Sequence, residues 1–157
     1  MRGAHPSKPR TARHMDIRIR PPADADLPAL AALMADLGYP ASPEQLRARL
    51  ARIHGNHEYA TLVAEVDGEV VGMIGLQRGW AYEHDRPVVR ILALVVSEVM
   101  RGRGVGARLV DEAEEWADER GAYAVHLTTS LHRDEAHRFY ERMGFERTGW
   151  RYVRRMD

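Results

Sequence analysis

Apolar residues recur along this chain at two spacings, and the switches between them divide it into strands and helices. Ile17 and Ile19 alternate with polar neighbours as on a short half-buried strand, which Pro21 and Pro22 interrupt. Asp24 or Asp26 can then cap a helix whose Leu27, Leu30, Met34 and Leu37 recur at three- and four-residue steps, with Gly38 as its stop. Ser42, Pro43, Glu44 and Gln45 form a capping box with proline at the first helical position. They predict a second helix carrying Leu46, Leu50 and Ile53 on one stripe.

Residues 59–66 read as a strand, Asp67-Gly68 as a two-residue hairpin turn and 70–76 as the returning strand. Gly72 and Gly75 within it mark bulges or close backbone approach. After a polar connection over 77–86, the near-continuous Val, Ile and Leu of 87–96 predict a central strand covered on both faces. Val105, Leu109, Ala113 and Trp116 then share one helical face, opposite a solvated row of acids. Gly121 ends that helix, 123–129 predicts a strand, and 134–143 predicts a helix with Ala136, Phe139, Tyr140 and Met143 inward, closed by Gly144. Alternation over 145–156 predicts one or two final strands. The order is β-α-α-β-β-β-α-β-α-β(-β), an α/β fold, or α+β if classed by layer.

At 157 residues the chain is long enough for a single domain with its own core. Hydrophobic residues at 45% and charged residues at 29% suit a globular protein. The 23 basic and 23 acidic residues cancel, which argues against a nucleic-acid partner. Arg2, Lys8, Arg10 and Arg13 nevertheless load the first 14 residues, which read as a flexible basic extension or an upstream start before Met15. Removing those four cations leaves 19 basic against 23 acidic residues, a net of −4 for the domain expected over 15–157. Cysteine is absent, which rules out disulfides, thiolate zinc sites and a cysteine nucleophile. Apolar runs such as 91–96 are too short to cross a bilayer, and 1–15 lacks a secretory h-region, so the expected location is cytoplasmic, without a membrane partner.

The segment Arg101-Gly102-Arg103-Gly104-Val105-Gly106 lies between a buried strand and an amphipathic helix, where backbone N–H groups lack intrahelical partners. Such a start favours anions, and glycines let a pyrophosphate approach the backbone while Arg101 and Arg103 add charge. A Walker loop is excluded because no Gly-Lys-Ser/Thr follows. Gly102-x-Gly104-x-x-Ala107 fits a loose dinucleotide fingerprint, but no acid ends the next strand to hold a ribose. A plain glycine-rich turn is the remaining alternative.

The order of strand, VSEVMRGRGVGARLV, acidic helix, strand and DEAHRFYERMGF resembles the paired motifs of the GNAT superfamily of N-acetyltransferases. Arg101, Gly104 and Gly106 fill the family's Arg/Gln-x-x-Gly-x-Gly/Ala pattern, and a weaker similarity extends from about Met15 to the C-terminus. The resemblance implies one GNAT-like domain, with helices on both faces of a mixed, mostly antiparallel sheet of six to seven strands. It implies acetyl-coenzyme A as co-substrate and no metal. The pantetheine arm would pair with the backbone of Leu94, Val95 and Val96, and the N–H groups of Arg101, Gly102, Arg103, Gly104, Val105 and Gly106 would hold the pyrophosphate. Tyr140 matches the family tyrosine that protonates the departing thiolate. A phenol of pKa about 10 stays protonated at neutral pH and can serve a thiol of pKa about 8.5. Where the family often has asparagine, this chain has Arg133, which could instead reach a phosphate; Ser130 and His132 flank it as loop residues.

The base that frees the acceptor amine could come from Glu83, His84 or Asp85, or from His126 and Thr128 on the following strand. Without cysteine, and with Lys8 as the only lysine, direct transfer in a ternary complex is expected. Tyr39, Trp80, Tyr82, Glu83 and His84 would line the acceptor groove, which suits a small-molecule or peptide amine. The alternatives are a catalytically silent acyl-coenzyme A sensor or interaction module and, more remotely, an NAD-binding oxidoreductase. Self-association as a homodimer through the C-terminal strands stays open.

Overall fold

The computed structural model describes residues 15–129 and 133–156. The basic extension over 1–14, Ser130 and His132 lie outside the described residues. The elements follow the expected order: β1 (Arg18–Arg20), α1 (Leu27–Leu37), α2 (Pro43–His54), β2 (Tyr59–Val66), β3 (Glu69–Gly79), β4 (Val88–Val96), α3 (Val105–Glu119), β5 (Ala124–Leu127) and α4 (Asp134–Arg142). The sheet runs β1-β2-β3-β4-β5 in space, with every pair antiparallel except β4 and β5. Among the described residues no helix is long and apolar enough to cross a membrane.

Local chemistry accounts for several boundaries. The Ser42 hydroxyl accepts the Gln45 N–H at 3.1 Å while the Gln45 side chain accepts the Ser42 N–H at 3.0 Å, so α2 opens on a reciprocal box. The β2–β3 hairpin turns through Asp67 and Gly68 at φ of 51° and 81°, the twist of a two-residue hairpin turn. Both glycine-marked irregularities are register shifts. One lies beside Gly72, where Val71 is extra on β3; the other lies opposite Gly75, where Leu92 is extra on β4.

The core has two halves. One, against α3, joins Val66, Ile74 and Leu76 to Val105, Leu109 and Ala113. The other, beneath α1 and α2, joins Leu30, Leu33, Leu46 and Leu50 to Val63, Met73 and Val95. The bulge at Leu92 changes which β4 residues face each half. Before it, Val89 and Ile91 face α3; after it, Leu94 and Val96 do, and Val95 turns to the opposite side.

The strand count departs from expectation, with five strands among the described residues instead of six to seven. Residues 145–156 form no strand; Trp150, Tyr152, Val153 and Met156 are exposed. Alternation becomes a strand only against a neighbouring edge that supplies hydrogen bonds, and the sheet pairs none with this segment. β3 in turn runs three residues past its expected end, to Gly79.

One buried charge cluster fixes the entry to α1. Asp26 accepts both arms of the Arg20 guanidinium at 2.7 and 3.0 Å and the Ala23 N–H at 2.6 Å, while Arg20 also donates to Glu65 at 3.2 Å. The Arg20 hydrogen bonds pull the Asp26 carboxyl below its ordinary value, against burial that would raise it. Asp26→Ala is therefore expected to cost roughly 2–3 kcal/mol in urea unfolding, because Arg20 is left with half its partners. The depressed group stabilises fully above its unfolded pKa of about 3.9 and loses that contribution as pH falls through the lower folded value. The variant's deficit should accordingly shrink in acid; a deficit constant down to the acid limit would remove Asp26 ionisation as its source.

Candidate active site

β4 and β5 separate where the bulge falls. Their parallel pairing runs from Val88 with Ala124 to Ile91 with Leu127 and stops; Leu92 has no counterpart on β3 either. From Ala93 to Val96 the strand stays bonded to β3 alone, so its β5 side is open along Leu94, Val95 and Val96. The Val95 side chain is buried in one core half and those of Leu94 and Val96 pack half-buried against the other, so the unpaired backbone edge is what the three share toward β5.

Beyond Val96 the chain makes one short turn and enters α3 through Gly104, which caps the helix in the left-handed region at φ 87°. Gly102 is left-handed too, at φ 75°, and a Cβ built at either position meets no atom of the described residues within 4 Å. No side chain caps α3, and its first turn contains no acid. The first N–H groups of α3 thus lack an intrahelical partner and a side-chain cap among the described residues, the arrangement that suits a diphosphate. Arg101 spends its Nε on the Val96 carbonyl at 3.2 Å, tying the loop to the end of β4. Arg103 is exposed in the same loop. The Ser97 hydroxyl, between β4 and the loop, is buried with no hydrogen-bond partner among the described residues. Together these residues fit a coenzyme whose diphosphate rests on the start of α3.

α4 is brought to the same place by a contact the sequence did not reveal. A Cβ on Gly106 would lie 3.2 Å from Phe139 Cζ, so the glycine makes room for Phe139 against the first turn of α3. Tyr140 follows, edge-on to Phe139 at 5.4 Å and to Phe145 at 5.8 Å between ring centroids. Burial raises its phenol above the ordinary value, and the Arg133 charge opposes this in part. Arg133 itself donates to the Leu37 carbonyl at the end of α1, linking α4 to the helix pair on the other face.

Glu83 and His84 lie elsewhere, in the connection before β4, at the opposite end of that strand from the loop. The His84 ring stacks on Tyr123 at 3.9 Å, and its Nδ1 accepts the Arg86 N–H at 3.1 Å. Glu83 is exposed in the same connection. The structure thus sets the 101–106 loop directly after the open end of β4, packs Phe139 of α4 on the start of α3 and ties Arg133 to the end of α1, while Glu83 and His84 lie at the other end of β4. Among the described residues, no group of three or more His, Cys, Asp or Glu could hold a metal ion.

These features define the class first: one α/β domain with a mixed sheet that opens along its central strand beside a glycine-rich helix start. Residues 27–145 match the Acetyltransferase (GNAT) family, and the chain belongs to it. An aminoalkylphosphonate N-acetyltransferase from Salmonella typhimurium is 40% identical over 88 residues, 56% of this chain and 57% of its own length. An uncharacterised N-acetyltransferase from Bacillus subtilis is 33% identical over 101 residues, 64% and 65% of the two chains. The chain thus spans between about half and two thirds of these curated relatives. A GNAT family acetyltransferase structure from Staphylococcus aureus, 26% identical, superposes with a TM-score of 0.77 over 90% of this chain and 100% of its own.

Proposed function

We propose that this protein transfers the acetyl group of acetyl-coenzyme A directly to a primary amine of a small molecule or peptide. The observation that carries the reading is the opening of β4 at Leu92, one turn before an uncapped helix start on which the Tyr140 helix packs. The relative named for an aminoalkylphosphonate, a small amine, supports a small-molecule acceptor.

Acetyl-coenzyme A supplies an acetyl group activated as a thioester. The N–H groups from Gly102 to Gly106 would hold its diphosphate, the Arg101 N–H being given to the Glu98 carbonyl at 3.3 Å, and the open backbone edge of Leu94 to Val96, whose last carbonyl also accepts Arg101 Nε, would meet its pantetheine amides. Tyr140 keeps a proton on its phenol to meet the leaving sulfur. Arg133, already bound to the Leu37 carbonyl, positions α4 and places a cation near that phenol. The base assigned to Glu83 or His84 finds no support in their placement, and an acceptor that arrives as the free amine makes water sufficient to remove the proton.

With no cysteine in the sequence, no thiol can store the acetyl group, which favours a ternary complex. Titration calorimetry with acetyl-coenzyme A, followed by initial rates over both substrates, tests the reading. Saturable binding and intersecting rate lines are expected. Parallel lines or an acetyl burst without acceptor would rule out direct transfer; no binding by the folded protein would rule out the function.

A further inference from the structure

A cavity of about 150 Å³ lies between the two N-terminal helices and the sheet and reaches β4 at Leu92 and Ala93, where that strand opens. Met34, Leu46, Leu50, Ile53, Met73 and Leu92 give it an apolar wall. Among the described residues Arg49 is the one charged residue on the lining, which contains no Asp or Glu. Arg47, also on α2, lies 3.8 Å from Asp24, and Arg20 is held by Asp26 and Glu65; Arg52, three positions beyond Arg49, is not on the lining. Arg49, exposed on α2, makes no ion pair among the described residues.

We infer that this cavity receives the apolar body of the acceptor, and that Arg49 selects acceptors bearing an anionic group, a carboxylate or a phosphonate. The inference rests on the acetyltransferase reading above and narrows its substrate class. Three physical points carry it. A cavity of this volume holds a body about the size of a benzene ring, which excludes bulky acceptors from the wall itself. An apolar wall with no carboxylate disfavours an ammonium, so it rejects polycations and lowers the pKa of an amine beside it, favouring the nucleophilic free base. A guanidinium without an ion pair at the rim offers a two-pronged, charge-assisted contact to carboxylate or phosphonate, only a weaker single hydrogen bond to a neutral amide carbonyl, and repulsion to a cationic head.

The test compares valine, its aminophosphonate analogue and valine amide as acceptors, with a polycationic aminoglycoside as a fourth. Wild-type kcat/KM should favour at least one of the two anionic amines over valine amide by roughly 10- to 100-fold, and the aminoglycoside should be the poorest. The carboxylate and phosphonate arms show which head group is used. Arg49→Gln should abolish that preference by raising KM for the anionic acceptor with little change in kcat, and Arg49→Lys should restore part of it. Acetyl-coenzyme A affinity, measured in parallel, should not move. Transfer to valine amide or to the aminoglycoside at the anionic rate, or a preference unchanged in Arg49→Gln, would overturn the assignment. So would intact coenzyme binding with no transfer to either anionic amine. Loss of acetyl-coenzyme A binding in the wild type is the separate outcome that would remove the acetyltransferase reading itself.

Discussion

Replacing Gly104 with glutamate is expected to weaken acetyl-coenzyme A binding by about 100-fold or more, equivalent to roughly 2.7 kcal/mol, in a protein that remains folded. Two effects combine. Gly104 holds φ at 87°, a conformation that costs a residue with a Cβ roughly 1–2 kcal/mol. The new carboxylate would also sit among the N–H groups that open α3, where it caps the helix itself and repels the diphosphate. Packing against the described residues is not the cause, since a Cβ there meets none of their atoms within 4 Å. Gly104→Ala separates the two effects, because it carries the backbone strain without the charge and should lose about tenfold or less in affinity. Calorimetric titration of both variants decides the point: equal losses would assign the effect to loop shape, and retained affinity in Gly104→Glu would move the diphosphate off this loop.

The elements were legible in the sequence wherever a local rule fixes them. Ser42 and Gln45 announce their box within four residues, Asp67-Gly68 its turn, and the stripe from Val105 to Ala113 its buried face. The glycine loop was legible for the same reason, since strand end, glycines and helix start are contiguous. What was hidden depends on residues far apart in the chain. The run from Val88 to Val96 is apolar at every position but Arg90, so it conceals the extra residue at Leu92 that exchanges the two faces of β4 and ends its pairing with β5. Gly106 reads as one more phosphate glycine, while its missing Cβ serves Phe139, thirty-three positions away. His84 has the chemistry of a base, yet its ring is spent on Tyr123 and its Nδ1 on Arg86. The C-terminal alternation misled because a strand is a property of two segments, and only one of them is visible in a local pattern.

Tyr140→Phe is expected to lower kcat by roughly 100-fold or more while leaving acetyl-coenzyme A affinity and stability nearly unchanged. The substitution keeps the ring and both edge-on contacts, to Phe139 and Phe145, and removes only the hydroxyl. Burial makes that hydroxyl a weaker acid than a free phenol, so it carries its proton throughout the range in which a free amine attacks. The same burial penalises the tyrosinate formed after donation, and the Arg133 cation is the group that offsets this penalty. In the proposed reaction Tyr140 would donate as negative charge develops on the sulfur, where the demand for its proton is greatest, and would regain it from solvent afterwards. The pH profile follows from the direction of the shift. Because the folded phenol lies above about 10, wild-type kcat should show no falling limb from Tyr140 below that pH, and any rise toward alkali belongs to the acceptor amine. A Phe variant with wild-type kcat would reduce Tyr140 to a packing residue between two phenylalanines. A Phe variant that loses coenzyme affinity instead would place the hydroxyl in binding and leave the leaving sulfur to solvent.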